Sequence, residues 1–264
     1  MKDDVLNMLV NRLAKLEQVE AIALAGSHSV QMNDSLSDYD LYIYVKEMIP
    51  VEVRAEITQK YCSYIELNNQ FWETEDDGVL TSGIEIELIY RDLGWLDDEL
   101  NKTIFQHQVN TGYSTCFWAN LRHSMILFDK DQKLTELQKK YDVDYSDELA
   151  DAIIAKNLPL ISNAFPAYPK QIAKALKRSD SVSVHHRITE YLASYFDILF
   201  AINRLPHPGE KRLVQFALTQ CRLLPVNFEQ TIEKLLLLAG QHSAELPKLV
   251  KGATNDLRAL ADER

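Results

Sequence analysis

Ser37-Asp38-Tyr39-Asp40-Leu41-Tyr42-Ile43 alternates acidic or aromatic residues with aliphatic ones. Residues two apart on a strand point to the same face, so this pattern predicts a half-buried strand with Asp38 and Asp40 side by side. Aspartate is disfavoured within strands, and two of them need a reason. Neighbouring carboxylates repel one another unless a cation lies between them, which makes such a pair, at the mouth of a sheet, a natural seat for a divalent metal ion. The plainer alternative is a strand with a polar outer face.

Just upstream, Ala21-Ile22-Ala23-Leu24-Ala25 is a short apolar run stopped by Gly26-Ser27. It reads as a buried strand ending in a turn, where a glycine lets backbone amides approach phosphate oxygens. Gly-Ser after a strand is by itself an ordinary turn. Downstream, Ile84-Glu85-Ile86-Glu87-Leu88-Ile89-Tyr90 alternates again and supplies a third acid on a strand, either Glu87 or Glu85. Glu87 is favoured because Leu88 to Asp92 reads as the end of that strand. Glu85 would then lie nearer the substrate as a base, or be solvated.

Apolar periodicity places helices over 4–18, 51–61, 93–105 and 131–140, a short strand over 64–67 and an edge strand over 125–128. The order of the first six elements is helix, strand, strand, helix, strand, strand. From about residue 146 strand signals vanish, and 147–158, 167–178, 184–203, 209–222, 228–239 and 244–261 all carry helical spacing. The expected fold is α+β: a mixed sheet with flanking helices over 1–145, then an all-α bundle over 146–264. The boundary falls in the Asp-rich stretch around Asp142, Asp144 and Asp147. Tyr191, Tyr195 and Phe200 share a helical stripe and are expected in the bundle core.

A Gly-Ser turn, an Asp-x-Asp strand and a later strand with an acid between apolar residues resemble, in that order, the nucleotidyltransferase superfamily that includes DNA polymerase beta and the antibiotic-adenylating enzymes. Here these are Gly26-Ser27, Asp38-Tyr39-Asp40 and Glu87 or Glu85, with Ser37 before the first aspartate. The third acid of that superfamily is often aspartate, and this chain departs from it. In the second half, His185-His186-Arg187, Tyr195 to Asn203, and His207-Pro208-Gly209-Glu210-Lys211-Arg212 resemble a bacterial family of nucleotidyltransferase-like proteins with a helical C-terminal domain and no assigned substrate.

The resemblance implies a Mg²⁺-dependent nucleotidyltransferase with two ions, held by Asp38, Asp40 and Glu87, and ATP or another nucleoside triphosphate as co-substrate. An acceptor hydroxyl attacks the α-phosphorus and pyrophosphate leaves, while Gly26, Ser27 and Ser37 hold phosphate oxygens. Lys211 follows Pro208-Gly209, which reads as a helix start, and would either face phosphate across a domain cleft or be an ordinary surface residue. Catalysis of this kind is positioning and electrostatics, so no cysteine or serine nucleophile is required.

Composition agrees with this reading. The chain has 264 residues, enough for two modest domains, and 46% hydrophobic with 25% charged residues excludes disorder and low-complexity scaffolds. Cys62, Cys116 and Cys221 are few and far apart, which fits reduced thiols better than disulfides or a zinc cluster. A formal charge of −11 opposes the long-range attraction that most nucleic-acid binding needs, so a long polynucleotide is not expected, despite local basic spots such as Lys174, Lys177 and Arg178. Met1-Lys2-Asp3-Asp4 lacks a secretory pattern, and no run reaches about 18 apolar residues, so a cytoplasmic protein without membrane association is expected. Walker, dinucleotide-binding, zinc-protease and nucleophile-elbow motifs are absent. His185 and His186 are adjacent and diverge by about 100° on a helix, so they cannot chelate one metal together.

Three functions remain. The first transfers AMP to a small hydroxylated acceptor resembling an aminoglycoside or lincosamide, for which an acidic cleft would suit a cationic acceptor. The second adenylylates a protein or acts as an antitoxin-like partner, with the helical domain as its docking surface. The third is a nucleotide-binding module without turnover.

Overall fold

The computed structural model describes residues 3–25 and 38–263. It divides into two compact units, Met1–Asn101 with Asn120–Val143, and Lys102–Ala119 with Asp144–Arg264. The first contains α1 (Asp4–Leu13), β1 (Val19–Ala25), β2 (Tyr39–Val45), α2 (Val51–Thr58), β3 (Cys62–Asn69), β4 (Glu75–Leu80), β5 (Glu85–Arg91), β6 (Met125–Asp129) and α5 (Lys133–Lys140). Helices α3 (Leu93–Ile104) and α4 (Cys116–His123) lie at the division, and α6 (Asp147–Ile161) through α11 (Leu246–Glu263) belong to the second unit.

Six strands form one sheet in the order β3-β4-β5-β2-β1-β6. β2 runs parallel to β5 and the other neighbours are antiparallel, so the sheet is mixed. Strict alternation divides its residues between two faces. On one face Ile22, Leu24, Leu41, Ile43, Ile86, Leu88 and Tyr90 join Leu6, Leu9, Val10 and Leu13 of α1 and Ile57 of α2 in a single buried cluster. Asp3 caps α1, accepting hydrogen bonds from the Val5 and Leu6 amides at 2.9 and 3.1 Å. The cap fixes where the helix begins, and its four buried aliphatics fix which way it faces. The acids of β2 and β5 therefore project from the opposite face.

β4 was not expected from the sequence. Glu75-Asp76-Asp77-Gly78 lacks a strand's apolar alternation, and acids are depleted in strands. Asp76 is wholly buried there because Arg54 of α2, itself 1% exposed, reaches it. Asp76 also accepts from the Asn68 amide at 2.8 Å and the Tyr90 hydroxyl at 2.8 Å, so each carboxylate oxygen is satisfied by partners distant in sequence. α1 is shorter than the expected 4–18, ending at Leu13.

In the second unit, α8 (Ser181–Ile202) packs against α6, α7 (Tyr168–Lys177), α10 (Phe228–Gly240) and α11. Ala193 through Ile202 are all buried, and so is Tyr191. A polar knot ties residues 110–115 to α6 and α8: Ser114 donates to Asp197 through its amide at 3.1 Å and its hydroxyl at 2.7 Å, and Asn157 donates to Asp197 at 3.2 Å. The Gly112 amide donates to Asn157 at 3.0 Å. Gly112 has φ +77, and a Cβ there would meet the Ala193 Cβ at 2.8 Å, so only glycine fits. No helix of the described residues is long and apolar enough to cross a membrane.

Candidate metal centre

Asp40 and Glu87 are register partners across the parallel pair of β2 and β5, and Asp38 immediately precedes β2. Asp38, Asp40 and Glu87 each place a carboxylate oxygen within 4.8 Å of the others, and all three side chains are half-buried. Among the described residues they form the one group of three His, Cys, Asp or Glu side chains so arranged. Two carboxylates about 4 Å apart repel by about 1 kcal/mol in bulk water and about 4 kcal/mol near a protein surface. A divalent cation between them converts that repulsion into attraction. The donors are all hard oxygens, with no sulfur or imidazole, which suits Mg²⁺ better than zinc or copper.

The register separates the two candidate glutamates. Glu85 lies two residues back along β5, about 6.6 Å of strand rise from Glu87, and pairs with Val79 rather than with an acid. It is exposed and is not part of the triad. Asp92 is also outside it, because its carboxylate accepts from the Trp95 amide at 2.7 Å and caps α3.

Beyond the triad on the same face, the Arg91 guanidinium stands 4.2 Å from the Tyr42 ring centre and 5.7 Å from that of Trp95. Its Nε donates to Glu73 at 2.6 Å and its Nη2 donates to the same carboxylate. Burial works against the Arg91 charge, but the Glu73 bonds and the facing tyrosines outweigh it and raise its pKa. Burial likewise raises the Tyr42 hydroxyl; Arg91 opposes that shift and Asp40 adds to it. On the other side of Glu87, β4 presents Asp77 as its direct cross-strand partner. Burial pushes the Asp77 carboxyl up, a hydrogen bond from Asn69 pulls it back, and the charges of Asp76 and Glu66 push it up again.

Of the other residues singled out in the sequence, Gly26, Ser27 and Ser37 lie outside the described residues. Lys211 is exposed and precedes α9 (Leu213–Gln220) in the helical unit; that helix starts four residues later than the expected 209. Lys174, Lys177 and Arg178 are exposed on or beside α7, and His185 and His186 are exposed on α8. Asp77 had no counterpart in the sequence reading, because Asp77-Gly78 looks like a turn until β3 and β5 are paired on either side of it.

No family model matches the chain, and no curated protein does. Among solved structures the chain is similar to a nucleotidyltransferase-like protein from Exiguobacterium sibiricum, with 13% identity over 96% of this chain and 72% of that one and a TM-score of 0.45. It is similar to an aminoglycoside 6-adenyltransferase from Bacillus subtilis, with 10% identity over 98% and 95% and a TM-score of 0.28. A third likeness is to the Thermotoga maritima CCA-adding enzyme complexed with tRNA, with 11% identity over 99% and 84% and a TM-score of 0.24. All three are distant; what the carboxylates can do follows from their own geometry.

Proposed function

We propose that the chain is a nucleotidyltransferase that moves AMP from ATP to a hydroxyl of a small acceptor. The observation that carries this reading is the convergence of Asp38, Asp40 and Glu87 within 4.8 Å on the polar face of the sheet. The order of motifs in the sequence, with Gly26-Ser27 ahead of Asp38-Tyr39-Asp40 and Glu87, supports it.

Asp38, Asp40 and Glu87 would hold Mg²⁺. When bound, the cation neutralises charge on the phosphates and lowers the pKa of an attacking hydroxyl. Asp40 and Glu87 stand on two adjacent strands whose other face is locked into the core, and Asp38 directly precedes one of them, so the group is positioned before any ligand arrives. A bond forms between the acceptor oxygen and the α-phosphorus, the bond to the β-phosphate oxygen breaks, and pyrophosphate carries away the electron pair. The hydroxyl proton passes to a carboxylate or to solvent.

The test is incubation with α-labelled ATP, CTP, GTP or UTP and Mg²⁺, offering small hydroxylated acceptors and, separately, cell lysate. Label on a small molecule that disappears with chelator, and in Asp40→Asn, supports the reading. Label confined to protein would replace it with protein adenylylation. Absence of transfer, together with no Mg²⁺-dependent rise in Tm at saturating nucleotide, would overturn it.

A further inference from the structure

Helix α7 and its C-terminal cap carry Lys170, Lys174, Lys177 and Arg178 within about 100° of arc, while Ile172 and Ala175 turn into the bundle. All four cations are exposed. Half-buried Arg187 and exposed His185 and His186 belong to α8, which packs on α7. Residues 163–190 thus set five Lys and Arg against Asp180 and Glu190, in a chain of net charge −11. We infer that this face of the helical unit docks on an anionic bilayer surface, with its cations among the lipid headgroups and Phe165 and Val182 entering the interfacial layer. The inference is independent of the carboxylate triad.

Helix stability does not account for the basic face. Lys174 and Lys177 stand in the last turn of α7, where cations complement the helix dipole, but Lys170 stands in the first turn, where a cation opposes it. Neighbouring acids do not neutralise the face either. Asp180 caps α8, accepting from the Ser183 amide at 3.0 Å, and Glu190 accepts from the Tyr168 hydroxyl at 3.5 Å. None of the four cations of α7 forms an ion pair with a carboxylate of the described residues.

Two apolar side chains frame the cations. Phe165 is 93% exposed, more than any other large hydrophobic residue among those described, and the Lys170 ammonium stands 5.8 Å from its ring centre. It therefore marks the N-terminal end of the basic face. Val182, 67% exposed, lies in the first turn of α8 and marks the other end, just beyond Arg178. Cations flanked by exposed apolar side chains match the layering of a bilayer surface, where charged headgroups lie over hydrocarbon. A nucleic acid would engage the cations and stack on Phe165, but it gives Val182 nothing to bury against. Adsorption needs no spanning helix, so the lack of an apolar run of about 18 residues does not bear on it.

The experiment is co-sedimentation of the full chain with vesicles of phosphatidylcholine, alone or mixed with anionic phosphatidylglycerol, at low and high salt. The wild type should sediment with the anionic vesicles and not with the neutral ones, and added salt should release it. Lys174→Gln combined with Lys177→Gln should weaken partitioning about 25-fold, at roughly fivefold per cation. Phe165→Ser should weaken it about tenfold and leave its salt dependence unchanged. The same loss of two charges at Lys46 and Lys139, exposed on the sheet unit, should change partitioning by less than about twofold, since distant charges are screened. An unchanged Tm in each variant separates lost docking from lost folding. No sedimentation with anionic vesicles overturns the proposal, and so does an equal loss in the Lys46 and Lys139 variant or partitioning that survives removal of the α7 cations. Tighter binding of single-stranded RNA than of the vesicles, lost in the same α7 variants, overturns it in favour of a nucleic-acid face.

Discussion

Asp40 and Glu87 sit opposite one another in register where β2 and β5 run parallel, with Asp38 completing the group one step before β2. This relationship ranks the carboxylates. Glu87→Gln should lower kcat by a factor on the order of 10² or more, as Asp38→Asn and Asp40→Asn should, because each removes a group aimed at developing charge. Glu85→Gln should mainly raise KM, since Glu85 is exposed and stands outside the triad. Steady-state kinetics of the four variants checks this, and the opposite ranking of the two glutamates would move the site one strand step.

The Arg54–Asp76 pair holds β4 against α2 and β5. Both side chains are buried, at 1% and 0% exposure, so removing one leaves the other charge stranded. Asp76→Ala or Arg54→Ala should therefore destabilise the sheet unit by about 3–5 kcal/mol, measured by urea denaturation, whereas exposed pairs such as Lys60–Glu56 are worth under about 1 kcal/mol. Asp76→Ala should also loosen Asp77, its neighbour on β4.

Asp197 gives the helical unit a pH dependence of unusual sign. Burial pushes its carboxyl up to about 6, against the bonds from Ser114 and Asn157 that favour its charge. The folded pKa lies above the unfolded one, so its contribution to stability is full below about pH 4 and is lost as pH rises through about 6, a change of roughly 3 kcal/mol. The difference in unfolding free energy between wild type and Asp197→Asn should shift by that amount in the variant's favour between these pH values.

His207 slopes the other way. Its ring is packed 4.8 Å from Tyr113 and 5.0 Å from Phe200, and burial lowers its pKa to about 3. Because the folded pKa is depressed below the ordinary 6.5, the stability it contributes is present above that pH and is lost as pH falls towards 3. The imidazole resonances of His207 should stay those of the neutral ring from about pH 8 down to about pH 5. A His207 midpoint near 6.5 would contradict the packing.

Much of the site was legible in consecutive residues. The alternation of Asp38-Tyr39-Asp40-Leu41 and of Glu85-Ile86-Glu87-Leu88 reports a strand with one apolar and one acidic face, since side-chain direction along a strand depends on position alone. The helical spacing beyond residue 146 reports helices for the same reason. β4 escaped because its polar residues become tolerable only when Arg54 arrives from α2, and Asp77 escaped with it.

The sequence by itself thus determined the α+β character of the chain, the acidic face of β2 and β5, and a short set of candidate carboxylates, because periodicity is a local property. Tertiary structure alone decided that Glu87 and not Glu85 meets Asp38 and Asp40, that β4 exists, and that Asp77 stands beside the triad. Those depend on register between strands far apart in the chain, which is set by the packing of α1 and α2 on the apolar face and by the buried Arg54–Asp76 pair.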